Sequence, residues 1–63
     1  MKIGELDVVK LKDGRKGTVI DIQKDGKGFA YEIEIPGLDF FDFPYVRQED
    51  IDAVTWCYAE HNR

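Results

Sequence analysis

The chain has 63 residues, of which 43% are hydrophobic and 35% are charged, and its formal net charge is −4. This apolar content excludes an intrinsically disordered chain, and the length limits it to one domain that buries only roughly 60% of the surface its unfolded chain exposes. So small a core leaves little room for an internal pocket. We therefore expect function to lie on the surface or at a subunit boundary, with no small-molecule substrate.

The charge distribution indicates which class of binding partner to expect, and the cysteine content indicates the cellular compartment. Residues 1–28 carry seven cations against five carboxylates, net +2, whereas residues 29–63 are net −6. Phosphate groups attract cations, so an acidic chain makes nucleic acid the less favoured partner. One cysteine cannot form an internal disulfide, the first residues are too polar for a signal peptide, and no apolar run approaches the ~20 residues that span a bilayer. We expect a cytoplasmic protein without membrane contact.

Two short strands joined by a turn open the chain. Alternation of apolar and charged residues predicts a first strand over residues 8–12 and a second over residues 17–23. An Asp-Gly pair, Asp13-Gly14, lies between them and suits a turn with positive φ at glycine. In the second strand Ile20 and Ile22 share one face and Val19 falls on the other, which predicts a β-bulge.

The third strand has the clearest pattern. After a hairpin tip at residues 24–28, which holds a second Asp-Gly pair, the odd positions from Phe29 to Ile35 are all large and apolar, so we expect them to face the core. Pro36-Gly37 ends this strand with a type II turn, and residues 38–45 are predicted as a fourth strand. A helical turn at 47–51, a fifth strand at 53–58 and a frayed polar tail at 59–63 follow.

This order of elements predicts an all-β fold: an SH3-like, five-stranded small barrel, or a strongly bent antiparallel sheet, with one short helical turn before the last strand. One domain covers residues 1–63, with its structured part at 5–58. The predicted core comprises Val9, Leu11, Ile20, Ile22, Tyr31, Ile33, Phe41, Phe43, Ile51 and Val54.

Several motifs carry a resemblance to known proteins. The opening Val8-Val9-Lys10-Leu11, followed by the basic turn and Gly-x-Val of residues 14–20, resembles KOW modules. The same opening contains Asp7-Val8-Val9 and Gly17-Thr18-Val19. With a third strand containing residues 31–34 and a late turn at residues 49–51, it is more similar to small uncharacterised bacterial proteins of the mobile-element or toxin–antitoxin-neighbourhood type. The resemblance covers most of residues 5–54 and implies the SH3-like fold. It carries no chemistry over, and KOW modules of ribosomal and transcription factors bind RNA or protein.

Catalysis and metal binding have few residues to use. The chain has no serine, one cysteine (Cys57) and one histidine (His61). These two lie four residues apart, which brings them together on a helix but not on a strand. A structural zinc site needs four ligands, and no calcium-binding or phosphate-binding loop motif is present. We expect no enzyme, no metal and no cofactor, with a half-buried thiol and a histidine in a loose tail.

Aromatic residues cluster in the fourth predicted strand. Residues 39–45 hold four aromatic rings and two carboxylates, Asp39 and Asp42. Either all four rings cover the core and its edges, or Phe40 or Tyr45 is exposed with an acidic rim, as in protein contact sites or an aromatic cage for a cation. We expect a non-catalytic protein-interaction module of a bacterial or mobile-element system. The partner-binding residues are predicted to be Phe40, Asp42, Tyr45 and Trp56, and the partner is another protein or a second copy of the chain.

A basic patch supports the alternative function. A KOW-like nucleic-acid-binding domain would use the first hairpin, with Phe29 or Tyr31 available to stack on bases. The cations of this alternative are Lys10, Lys12, Arg15 and Lys16. The same cations also suit an ordinary solvated face that protects a strand edge.

Overall fold

The computed structural model describes residues 1–62 and shows a compact, mostly β chain. The strands are β1 (Val8–Leu11), β2 (Lys16–Asp25), β3 (Gly28–Glu34), β4 (Tyr45–Val46) and β5 (Ile51–Trp56). Two 3₁₀ turns flank β4, at Phe40–Asp42 and Gln48–Asp50, and a short helix α1 (Tyr58–His61) follows β5. The strands form one antiparallel sheet in the order β4-β3-β2-β1-β5. The sheet is open, with β4 and β5 as its edges.

The core lies on one face of the sheet, where alternate residues of each strand meet. Pairing sets Val9 opposite Val54, Val19 opposite Ile33 and Ile22 opposite Tyr31. The buried hydrophobic residues that form the core are Val9, Leu11, Val19, Tyr31, Ile33, Ile35 and Ile51. Ile3, Ile22, Val46 and Val54 pack against them while partly buried. Val9, Leu11, Tyr31, Ile33 and Ile51 are thereby confirmed as core, and Ile22 and Val54 as its partly buried margin.

A β-bulge in β2 explains which of its side chains enter the core. The register of β2 against β3 shifts between Val19 and Asp21, as the sequence predicts. The extra residue lets Val19 and Ile22, three positions apart, reach the same face. Val19 is fully buried, whereas Ile20 is only partly buried and lies outside the core cluster. The prediction of Ile20 as a core residue is therefore wrong.

The predicted fourth strand is mostly absent. Pairing with β3 is limited to Tyr31 with Val46 and Glu32 with Tyr45. Pro44 has no N–H to donate, so it contributes only its carbonyl, which accepts from the Ile33 N–H at 2.9 Å. The chain before it forms a 3₁₀ turn instead. Phe41 is 94% exposed, so its prediction as a core residue is wrong, and Phe43 is only partly buried.

Three other sets of sequence predictions are confirmed in part. Ile35 is buried, but Phe29 at the start of β3 is 49% exposed, because it lies at the hairpin end beyond the core. Gly14 and Gly37 have positive φ as predicted, and in the second hairpin the positive φ falls on Gly28 and not on the glycine of the Asp-Gly pair. The helical turn before β5 is confirmed, whereas β5 begins and ends two residues earlier than predicted.

A buried carboxylate joins the two ends of the chain. Asp7 is only 3% exposed, and its two oxygens accept hydrogen bonds from the N–H of Gly4 at 2.8 Å and the N–H of Tyr58 at 2.9 Å. The second bond holds Tyr58, the first residue of α1, and residues 59–61 are helical where the sequence predicts a frayed tail. Arg63, the last residue of that predicted tail, lies outside the described residues.

β2 comes close to the end of β3 at Gly17. A Cβ atom there would lie 2.5 Å from the carbonyl oxygen of Glu34, 2.5 Å from Cγ2 of Ile33 and 3.0 Å from Cδ1 of Ile35. No side chain fits at such distances, so a residue with a Cβ would push β2 away from the end of β3.

We predict that Gly17→Ala lowers the free energy of unfolding by about 2–3 kcal/mol, because the added methyl group overpacks a backbone contact. Gly26→Ala is the matched control, since Gly26 lacks positive φ and has open space around its Cβ position. It should change stability by no more than about 0.5 kcal/mol. Chemical denaturation followed by circular dichroism measures both. Equal stability of the two variants would contradict the close approach at Gly17.

Candidate functional site

Residues 38–43, here named the aromatic loop, form an ordered turn between β3 and β4. The loop starts with a turn at Pro36-Gly37, in which the N–H of Leu38 donates to the Ile35 carbonyl at 3.1 Å and Gly37 has φ of 94°. The 3₁₀ turn then closes through the N–H of Asp42, which donates to the Asp39 carbonyl at 2.8 Å. These bonds hold the loop in one conformation.

The aromatic loop displays apolar side chains to solvent. Leu38 is 41% exposed, Phe40 65% and Phe41 94%. Phe40 is the centre of the cluster, since its ring meets the ring of Phe41 at 5.7 Å and the ring of Phe43 at 5.9 Å, both edge to face. Phe43 itself is partly buried. The loop thus presents the rings of Phe40 and Phe41 to solvent, and Phe40 also contacts the ring of Phe43.

Two carboxylates flank these rings. Asp39 and Asp42 are exposed, and neither forms an ion pair with a cation within residues 1–62. Of the predicted partner-binding residues, Phe40 and Asp42 therefore share this loop. The sequence prediction of exposed Phe40 beside an acidic rim matches this placement, and Phe41 is a more exposed ring that the strand interpretation hid.

Tyr45 lies on the outer face of the sheet, just after the loop. It pairs with Glu32, so both side chains point away from the core, and its hydroxyl donates to Glu32 Oε1 at 3.0 Å. This hydrogen bond, together with the nearby negative charges of Glu32 and Asp21, raises the pKa of Tyr45 above its usual value of 10.0. Tyr45 is 51% exposed and adds a polar margin to the loop.

Trp56 belongs to a different surface. It lies on β5, the edge of the sheet opposite to β4. Its ring stacks on His61 at 4.6 Å and meets Tyr58 edge to face at 6.2 Å. The structure does not bring Trp56 into the cluster of Phe40, Phe41 and Phe43.

The four cations of the alternative function fall into two pairs, Lys10 with Lys16 and Lys12 with Arg15. Lys10 and Lys16 lie directly opposite each other on β1 and β2, on the outer face. The Arg15 guanidinium pairs with Asp13 at 2.8 Å, which lowers the pKa of that carboxyl below its usual range. Lys12 lines a pocket with Arg15 and also lines the groove described next. A continuous phosphate-binding strip along the first hairpin is therefore not formed.

A basic groove at the other end of β3 was missed by sequence reasoning. The groove is open and has a volume of about 560 Å³. The cationic and aromatic side chains that line it are Lys12, Lys27, Phe29, Tyr31 and Arg47. Met1, Gly28, Gln48, Glu49 and Ile51 complete the lining. Its residues come from four separate segments, so no sequence motif marks it. The sequence signal for a basic surface here is the pair of lysines shortly before Phe29, Lys24 and Lys27.

Charge interactions organise this basic groove. Arg47 holds Asp25 through two bonds of 2.7 and 3.1 Å and also donates to the Phe29 carbonyl at 3.3 Å. The guanidinium lowers the pKa of the Asp25 carboxyl. Lys24 places its ammonium 5.8 Å from the centre of the Phe29 ring. Phe29 therefore stands as a half-exposed ring among cations.

Cys57 and His61 do not form a thiol–imidazole pair. His61 Nδ1 lies 2.7 Å from the backbone carbonyl oxygen of Cys57, and the imidazole stacks on Trp56. In the described part of the chain, no group of three or more His, Cys, Asp or Glu side chains is placed to hold a metal ion. Cys57 lies directly before α1 and His61 is its last residue, so the contact joins the backbone of one to the ring of the other.

Comparisons with known proteins add no relative. No protein-family model, no curated protein and no solved structure matches the chain. Among residues 1–62, no helix is long and apolar enough to cross a membrane.

The hydrogen bond between Tyr45 and Glu32 can be tested through the pKa of Tyr45. Removing the carboxylate in Glu32→Gln should move the pKa of Tyr45 back toward 10.0, because its negative charge favours the protonated phenol. The bond is fully present below the pH at which a free tyrosine ionises and is lost as the pH rises through the raised pKa of Tyr45. NMR titration of the Tyr45 ring carbons measures this. Glu34→Gln is the control and should leave the Tyr45 titration in place; an unchanged titration in Glu32→Gln would contradict the contact.

Proposed function

We propose that the chain is a small, non-catalytic, cytoplasmic protein-interaction module with an SH3-like fold, acting in a bacterial or mobile-element system, and that the aromatic loop is its contact surface. The observation that carries this proposal is the exposure of Phe40 and Phe41, 65% and 94%, on a hydrogen-bonded turn. Aromatic anchors with a polar surround dominate the energetics of protein contacts. Rings held on an ordered turn also lose little conformational freedom on binding.

The fold assignment rests on the arrangement of the strands. The sheet order β4-β3-β2-β1-β5 and the 3₁₀ turn just before β5 are the features of an SH3-like sheet, as the resemblance in the opening and third strand implies. In this arrangement the connection between β3 and β4 projects from one end of the sheet. The aromatic loop is that connection, which places its rings where a partner reaches them.

The KOW-like alternative, nucleic-acid binding through Lys10, Lys12, Arg15 and Lys16, has less support. Arg15 is engaged by Asp13, and Lys12 points to a different site from Lys10 and Lys16. On the outer face, Asp21, Glu32 and Glu34 lie on the neighbouring strands. If this alternative held, affinity for RNA or DNA would appear at low salt and fall steeply as salt is raised.

Replacing the two exposed rings tests the proposed contact surface. In Phe40→Ala with Phe41→Ala, partner recovery from a nuclease-treated lysate, or association of the chain with itself, should fall at least about tenfold, as expected for aromatic anchors. The measurement is affinity capture with quantitative mass spectrometry, alongside the solution mass of the chain. Because both rings are exposed, the variant should unfold at nearly the wild-type denaturant midpoint.

Tyr58→Ala is the control, since it removes another exposed ring, 38% accessible, from the surface that contains Trp56. It should retain partner binding. Separate variants Tyr45→Ala and Trp56→Ala test whether the remaining predicted partner-binding residues contribute. If the Phe40/Phe41 variant keeps both its partners and its solution mass, the aromatic loop is not the contact surface.

A further inference from the structure

The chain carries two exposed surfaces of complementary chemistry. The aromatic loop offers exposed rings beside two carboxylates, Asp39 and Asp42, that pair with no cation within residues 1–62. The basic groove offers the half-exposed ring of Phe29, and Lys12, Lys27 and Arg47 contribute to the same lining. An acidic aromatic turn is the kind of ligand that a basic aromatic groove selects, because rings pack on rings while the charges around them pair.

The two surfaces cannot meet within one molecule. β3 runs from Gly28 beside the groove to Glu34 beside the loop, and seven extended residues span roughly 20 Å. β4 returns along β3, since Glu32 pairs with Tyr45 and Tyr31 with Val46, and leads to Arg47 in the groove. The loop and the groove are thus fixed at opposite ends of the same strand pair.

We propose that the aromatic loop of one copy of this chain docks into the basic groove of a second copy, so that the protein associates with itself head to tail. This inference rests on the proposed function and names its partner. Asp39 and Asp42 of one copy pair with Lys12 and Lys27 of the next, and Phe40 or Phe41 packs against Phe29. The groove volume of about 560 Å³ is in the range of roughly 300–1,000 Å³ that takes compact ligands.

The position of the two surfaces also sets the form of the assembly. In a head-to-tail arrangement each contact uses the loop of one copy and the groove of the next, so an open assembly of any size still has one free loop and one free groove, at its two ends. Growth therefore continues past a dimer, into a ring or an open filament. The charge pairing makes association weaken as ionic strength rises.

Charge reversal on each surface provides the test. The loop variant is Asp39→Lys with Asp42→Lys, and the groove variant is Lys12→Glu with Lys27→Glu. The matched control, Lys10→Glu with Lys16→Glu, reverses two lysines outside both surfaces and keeps a like-charge pair across β1 and β2. Circular dichroism checks that each variant is folded, and sedimentation velocity over a hundredfold concentration range at low ionic strength measures the mass.

The expected results differ for each sample. The wild type and the control should grow past a dimer as concentration rises, and each reversed variant alone should associate at least about tenfold more weakly. An equimolar mixture of the loop variant and the groove variant should again grow past a dimer, as the wild type does. In the mixture the intact loop of the groove variant fits the intact groove of the loop variant, and the reversed loop meets the reversed groove with both charges exchanged, so each contact regains opposite charges.

Three outcomes would overturn the inference. The wild type could remain a monomer at every concentration, the mixture could fail to associate, or the reversed variants could associate as well as the wild type. In a parallel titration, a fluorescent single-stranded oligonucleotide that binds the wild type but not the groove variant, while the wild type stays monomeric, would assign the groove to nucleic acid. A monomeric wild type whose cellular partner is still lost in Phe40→Ala with Phe41→Ala would overturn the self-association alone and leave the proposed function standing.

Discussion

The contact between Gly17 of β2 and the end of β3 is the constraint on which the rest of the structure depends. A Cβ at Gly17 would lie 2.5 Å from the Glu34 carbonyl oxygen, so the two strands approach this closely only because residue 17 lacks a side chain. The approach brings Ile33 and Ile35 under β2, where both are buried. Since the Ile35 carbonyl then accepts the hydrogen bond that starts the next turn, the position of the aromatic loop follows from this contact.

β3 connects the structural core to both exposed surfaces. Its alternate residues Tyr31 and Ile33 fill the core, while its first end borders the basic groove and its last end leads to the aromatic loop. β4 pairs with β3 and is short, because Pro44 has no N–H with which to extend the ladder. The residues released from pairing form the 3₁₀ turn that displays Phe40 and Phe41. Exposed rings in this chain are thus a consequence of where the sheet ends.

Much of the fold could be predicted from the sequence, because local patterns determine it. Alternation located β1, β2 and β3, glycine and proline located the turns, and Val19 lying out of phase with Ile22 indicated the bulge. The prediction failed at residues 38–45, where alternating aromatics suggested a strand and ladder pairing, which is a tertiary property, was limited by Pro44. The basic groove escaped prediction for the same reason, since Lys12, Phe29 and Arg47 meet only after folding.

The central claim is that two surfaces at opposite ends of β3 recognise each other between copies of the chain. Backbone ¹H–¹⁵N NMR spectra recorded during dilution at low ionic strength test it most directly, because every described residue except the prolines reports its own surroundings. The account predicts concentration-dependent shifts in two separate groups, Phe40 to Asp42 and Lys27 to Phe29, with little change along β5. Shifts confined to one group, shifts centred on β5, or spectra independent of concentration would contradict it.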